Sequence, residues 1–321
     1  MLFFGLFSWN HQCKILAIPS TEDETGSRRR AELQIVTDSG TDLSLSPEQI
    51  AELGIHVVPL IVTFEGKTYR EGVDIRPDEF YPLMAATDSL PFTSQPSAGD
   101  FAETYRRLAT TDPDILSIHM TSGLSGTFNA AQAGAKLVPE ANITHVDTKT
   151  LSVAAGWQVE ASARALKAGW SKEKTLALME RISAASESIY TLKELKYLIH
   201  GGRISHMKGL IASVLNIKPL IGVEKVNGTY VQLGQARTFE RALKGLVNLV
   251  ARQHMPGSAV RVQVGHSHNP EGAAMLRELV DQQFDCTWLP VGPMSLVLGA
   301  HTGPTMVGIA YASMEAFADV P

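Results

Sequence analysis

Apolar residues arrive along this chain in two alternating rhythms. Short aliphatic and β-branched runs at 33–37, 55–64, 115–120 and 143–147 predict strands of a largely buried sheet. Longer amphipathic stretches between them predict helices at 77–86, 97–108, 127–137, 151–168 and 171–186. Ser46 followed by Pro47 marks a further helix start, because serine caps free N–H groups and proline suits the first helical position. Glu65-Gly66-Lys67 predicts a turn closing the 55–64 run. Repeated βα units of this kind imply a parallel sheet flanked by helices.

The rhythm changes near residue 188. Runs at 220–226 and 229–233 flank Asn227-Gly228, the signature of a hairpin. A helix at 238–253, a strand at 259–265, a helix at 271–282 and a strand at 286–290 complete a second α/β unit. The expected fold class is therefore α/β in two domains. Residues 31–187 form a three-layer parallel-sheet domain and 188–321 a smaller mixed-sheet domain. No Pro- or Ser-rich linker separates them, so they are expected to pack closely. The first thirty residues do not fit this pattern. MLFFGLF lacks a basic region before it and polar sequence follows up to Arg28-Arg29-Arg30, which suits a flexible extension or an early start codon better than a secretory signal.

Composition narrows the function classes. At 321 residues, with 44% hydrophobic and 19% charged residues, the chain has the make-up of an ordinary two-core globular protein. The net charge is −5, with no long basic stripe, which argues against a general nucleic-acid or anionic-membrane binder. Two cysteines, Cys13 and Cys286, make neither a disulfide framework nor a zinc cluster, and a cytoplasmic location is expected. The apolar runs at 57–62 and 295–300 are far shorter than the ~20 residues of a membrane helix.

Three polar clusters stand at predicted element ends: Thr93-Ser94-Gln95-Pro96-Ser97, the turn from Ser122 to Thr127, and His301-Thr302-Gly303-Pro304. Loops after parallel strands converge on one sheet edge, where their hydroxyls and free N–H groups suit an anion. Gly123-Leu124-Ser125-Gly126-Thr127 also approaches the G-x-S-x-G nucleophile elbow, which raises a serine esterase with Ser125 as nucleophile, His301 as base and Asp147 or Asp38 as orienter. Thr127 stands where the elbow needs a small closing residue, and no oxyanion-hole tract is evident. The plain alternative is that Ser122, Ser125 and Thr127 only satisfy a helix N-terminus.

The chain has no GxxxxGK[ST] and no GxGxxG after its first strand, so nucleotide binding lacks its motif. His266 and His268 suggest a metal but lack a carboxylate or cysteine partner, and Asn269-Pro270 reads as a helix start instead. Asp38 and Asp42 read as turn aspartates with local backbone bonds. The Gly201-Gly202-Arg203-Ile204-Ser205 turn fits a helix stop or an anion site.

Together these clusters resemble the DegV family of fatty-acid-binding proteins. The resemblance runs from about Leu33 to Met314 through VTDSGTDL, the 59–75 run, TSQPS, TSGLSGT, LIHGGRIS, KPL, ART and HTGP, in order and with agreeing spacing. Thr121 stands where the family often has Ser. The resemblance implies a DegV-like two-domain carrier without catalysis, cofactor or metal, holding a long-chain fatty acid such as palmitate or oleate between its domains. It implies a carboxylate grip by Thr93 and Ser125, with Ser94, His301 and Thr302 beside them. It further implies a fatty acid kinase partner that phosphorylates the bound acid to an acyl phosphate, with Arg237 at the docking surface. No nucleic acid and at most transient membrane contact are expected.

Overall fold

The computed structural model describes residues 33–207 and 217–321; the MLFFGLF start, Cys13 and the Arg28–Arg30 triplet lie outside the described residues. β1 (Gln34–Asp38) leads through the DSGTD turn to α1 (Pro47–Glu52). Ser46 caps that helix, and Gln49 returns a bond to the Ser46 N–H. The 55–64 run is two strands. Pro59, which has no N–H for a ladder, separates β2 (Ile55–Val58) from β3 (Ile61–Phe64), and the two join different sheets.

β4 (Lys67–Arg70), α2 (Pro77–Ala85), β5 (Phe92–Ser94), α3 (Ala98–Ala109), β6 (Asp114–His119), α4 (Thr127–Ala135) and β7 (Asn142–Asp147) follow, then α5 (Ser152–Lys167) and α6 (Lys172–Ala185). The second half contains β8 (Glu187–Thr191), α7 (Lys196–His200), β9 (Lys218–Val223), β10 (Tyr230–Ala236) and α8 (Phe239–Ala251). It ends with β11 (Ala259–His266), α9 (Pro270–Asp281), β12 (Asp285–Trp288), β13 (Gly292–Pro293), α10 (Leu296–Thr302) and β14 (Val307–Ser313).

The first lobe is built on a parallel sheet of order β2-β1-β6-β7. Successive residues of β1 face opposite sides: Val36 packs with Phe101, Tyr105 and Ala131 of α3 and α4, while Ile35 packs with Val159, Ala163 and Met179 of α5 and α6. Burial on both faces is why these strands read as unbroken apolar runs. A small antiparallel sheet of order β4-β3-β5 stands beside it. The second lobe is shorter in sequence, yet its mixed sheet is the wider one, ordered β10-β9-β8-β14-β11-β12 with β13 on β11. β14 lies in the middle of that sheet, where its alternating glycine, alanine and large residues gave no clear strand signal in the sequence.

The pair α5 and α6 does not serve the parallel sheet alone. Val153, Trp157, Ala161, Leu178 and Ile182 turn to the mixed sheet and pack on Ala310, Ala312 and Phe317. One helical layer thus closes two cores, which explains why nearly all of α5 is buried. Trp157 Nε1 donates to Gln263 Oε1 at 3.0 Å, tying this layer to β11 through two buried side chains. Trp157→Phe leaves that acceptor dry and unpaired, and should cost about 1–3 kcal/mol of stability in urea unfolding; an unchanged midpoint would contradict the role given to this tie.

Candidate functional site

α10 carries the third polar cluster into the first lobe. Leu296 and Ala300 pack with Val62, Phe80 and Tyr81, and Gly299 lies so close to the Tyr81 ring that an added Cβ would come within 2.2 Å of it. His301 is therefore in the last turn of a buried helix, where the sequence suggested an exposed polar turn. Its Nε2 lies 2.8 Å from Thr93 Oγ1 on β5. Gly201 makes room for the ring, because a Cβ there would stand 2.0 Å from His301 Nδ1.

The β6–α4 loop supplies the facing wall. Thr121 Oγ1 accepts from Gly123 N and donates to the Gly228 carbonyl, so the turn is pinned to the β9–β10 hairpin of the second lobe. A Cβ at Gly123 would sit 2.2 Å from the Asn227 carbonyl, which is why glycine is needed there. Ser122 does not face the helix start but donates to Asp147 at 2.5 Å. Ser125 Oγ accepts from Thr127 N at 3.3 Å, just before α4, lies 2.8 Å from Thr127 Oγ1 and borders the cavity.

Thr93, Ser94, Ser125 and His301 line one cavity of about 40 Å³. Thr302 does not reach it; its hydroxyl turns back to the Leu298 carbonyl and lies near Ser267. Arg203 does reach it, a cation among groups that otherwise are neutral donors. Its guanidinium donates to the carbonyls of Gly201 (2.6 Å) and Leu124 (3.3 Å), which leaves further N–H groups uncommitted. Of the two readings the GGRIS turn allowed, a helix stop or an anion site, Arg203 at the cavity wall favours the second.

Burial, helped by the positive charge of Arg203 and by His200, pulls the His301 imidazole down to about 3. The ring is therefore neutral near pH 7 and binds as a donor or acceptor. A second, narrow cavity of only about 10 Å³ shares the walls Leu151 and Leu298 with the first and continues between α5 and the mixed sheet along Ile189, Met294 and Met306. It is almost wholly apolar. Met120, Met207, Met294 and Met306 sit in the cluster around this seam, and thioether side chains re-pack at little cost.

The esterase constellation is not assembled. His301 faces Thr93, its Nδ1 has no partner among the described residues, and both proposed orienters are engaged elsewhere. Asp147 holds Ser122 and Lys149, and Asp38 holds His119 at 2.9 Å. Neither Asp38 nor Asp42 is confined to its own turn, since Asp42 reaches Ser152 and Ser295. His266 ends β11, and Asn269 caps α9 through the Gly272 N–H. Arg237 is exposed in the β10–α8 connection. No helix among the described residues is long and apolar enough to cross a membrane.

A two-lobed α/β body with a hydroxyl-lined cavity at its seam defines the class. The sequence profile described as "Uncharacterised protein, DegV family" matches residues 32–314, and the chain belongs to the DegV family. A DegV domain-containing protein of Staphylococcus aureus strain MRSA252 is 32% identical over 86% of this chain and 96% of its own. One from Lactococcus lactis is 34% identical over 85% and 96%. Among solved structures, a fatty-acid-binding DegV family protein from Thermus thermophilus superimposes with a TM-score of 0.78 at 30% identity, covering 88% of this chain and 99% of that one. A stearic-acid-binding protein from Eubacterium ventriosum gives 0.74 at 26% identity, covering 88% and 98%.

The depressed His301 pKa has a definite sign in stability. The folded ring holds a proton less tightly than the unfolded one, so its contribution is present above about pH 6.5 and lost as pH falls toward about 3. His301→Gln should reduce the acid-side loss of stability across that window in urea titrations. An identical pH slope in the variant would show that the ring is not held neutral by burial.

Proposed function

We propose that this chain is a cytoplasmic carrier that binds one long-chain fatty acid, such as palmitate or oleate, and presents its carboxylate to a fatty acid kinase. In this reading 31–187 carries the head-group loops and 188–321 closes over the acyl chain. One observation carries it: a cavity with Thr93, Ser94, Ser125, Arg203 and His301 at its polar side shares its inner wall, Leu151 and Leu298, with a narrow apolar one. That is the outline of an amphiphile with a small anionic head. Binding of fatty acids by the Thermus thermophilus and Eubacterium ventriosum proteins supports the same ligand class.

The energetics divide cleanly. Burying a 16-carbon tail at about 0.8 kcal/mol per CH₂ gives roughly 12 kcal/mol gross. Ordering the tail and losing free motion remove several kcal/mol. The tail supplies affinity, and the head group supplies direction. A neutral His301 donating from Nε2 to Thr93 turns the Thr93 hydroxyl proton toward the acid. Hydroxyl donors leave the carboxylate its charge, which it needs to attack a phosphoryl group; the kinase transfers that group from a nucleoside triphosphate, the diphosphate leaves, and the product is an acyl phosphate. Arg203 adds attraction for the anion, and Arg237 lies on the surface offered to the kinase. Transient membrane contact serves lipid exchange.

Native mass spectrometry of the purified protein should show fatty acid retained at one per chain, and protein that stays empty with added oleate would refute the reading. Ser125→Ala and Thr93→Ala should each weaken binding by about 1–3 kcal/mol in calorimetric titration, by leaving the acid short of a donor; wild-type affinity in a folded variant would remove that residue from the grip. Arg237→Ala should keep lipid affinity while slowing acyl phosphate formation by an added kinase, and equal turnover would place docking elsewhere.

A further inference from the structure

Two carboxyl groups lie beneath the start of α10, Glu71 buried and Asp42 half-buried, and the head-group reading leaves both unused. Asp42 accepts at Oδ1 from the Ser295 N–H (2.7 Å) and at Oδ2 from the Ser152 hydroxyl (2.6 Å). Glu71, just past β4, accepts at Oε1 from the Leu296 N–H (2.5 Å) and at Oε2 from the Ser39 hydroxyl (2.7 Å). That hydroxyl in turn accepts from Leu60 N at 2.9 Å. Tyr81 of α2 adds a third hold, donating to the carbonyls of Met294 and Ser295. Two acids and a phenol of the first lobe therefore grip the backbone of a helix that belongs, in sequence, to the second. The same helix carries Leu298, a wall of both cavities, and His301, the partner of Thr93.

We propose that Asp42 and Glu71 are positioning residues that fix how α10 enters the first lobe, and thereby hold Leu298 and His301 against the ligand site and make that hold sensitive to pH. The ligand part of this inference rests on the fatty-acid reading of the site; the helix part does not.

The surroundings of the pair set the sign. Asp38 of β1 faces both carboxyl groups and is itself bonded to His119. Tyr81 faces them from α2, with His268 stacked on its ring, Ser39 and Ser152 bond to them, and Asp42 borders a groove with Pro290 and Met294. Among the described residues no cation pairs with either group. Burial pushes Asp42 up to about 7 against the bonds from Ser152 and Ser295, with Asp38 adding to the rise. Burial and then the neighbouring Asp42 push Glu71 up to about 8, with Asp38 contributing last. Carboxyl groups that hold protons more tightly when docked stabilise the docked arrangement most fully below the ordinary carboxylate range. That stabilisation is lost as pH rises through about 7 to 8. His301, drawn down to about 3, keeps one charge state across that window.

The test measures amide hydrogen exchange of the α10 segment in the ligand-free full chain, corrected for intrinsic rates, at about pH 6 and about pH 8.5. Wild-type protection should fall about tenfold or more between them, tenfold being one pK unit of differential binding. The double variant D42N/E71Q keeps hydrogen-bonding shape without the titrating protons, and should hold wild-type protection at the lower pH and show no drop at the higher. D42A and E71A should lose protection at both. Affinity for cis-parinaric acid, read by fluorescence, should follow the same order.

Wild-type protection and affinity in D42A and E71A would overturn the proposal, as would a pH drop that survives in D42N/E71Q. Reduced thermal stability with unchanged α10 exchange would assign the pair a general packing role and overturn it too. If the alanine variants fail to fold, the isosteric double variant carries the decision. If cis-parinaric acid fails to bind the wild type, the fatty-acid reading falls while the exchange data still decide the role of the pair.

Discussion

The site depends on one helix of the second lobe being built into the first. α10 packs Leu296 and Ala300 into the small core formed by β3 and α2, and only that placement brings His301 to within 2.8 Å of Thr93. Glycines make the approach possible: Gly299 admits the Tyr81 ring, and Gly201 admits His301. From the other side, the β9–β10 hairpin tip locks onto the β6–α4 loop through Thr121 and Gly123. These two ties flank an apolar seam rich in methionine.

Burying a carboxylate is costly unless donors replace its water. The first cavity offers hydroxyls, a neutral imidazole and the spare N–H groups of an arginine, and among the described residues no acid lines it. The balance suits a carboxylate held without a full counter-charge. A site made only of cations would bind more tightly and lower the reactivity of the carboxylate toward a phosphoryl group. A site with no cation would rely on the tail alone. Arg203 occupies the middle ground because its guanidinium is partly committed to the Leu124 and Gly201 carbonyls.

Much of this was legible in the chain. Alternation of apolar runs and capped helices marked the parallel sheet, because strands buried on both faces cannot hide their apolar character. Asn227-Gly228 marked the hairpin because its turn geometry restricts the residues that fit there. Three other features were not legible. Nothing in the periodicity of α5 tells a helix buried against one sheet from one shared by two. β14 mixes Gly308 and Ala310 with Ile309 and Tyr311, so its strand pattern is diluted by the small residues that let neighbours pack. Thr302 looked equivalent to His301 in a polar turn, but helical geometry carries its hydroxyl back to Leu298. The role of the Asp42–Glu71 pair was not legible because its partners lie far away in sequence, and local reading assigned Asp42 to its turn.

A crystal structure of the protein with oleate tests the grip and the tunnel most directly. The carboxylate should lie within hydrogen-bond distance of Thr93 Oγ1 and Ser125 Oγ, with the tail passing Leu151 and Leu298 toward Met306. Oleate bound elsewhere, or a seam still filled by its own side chains at saturating lipid, would contradict it.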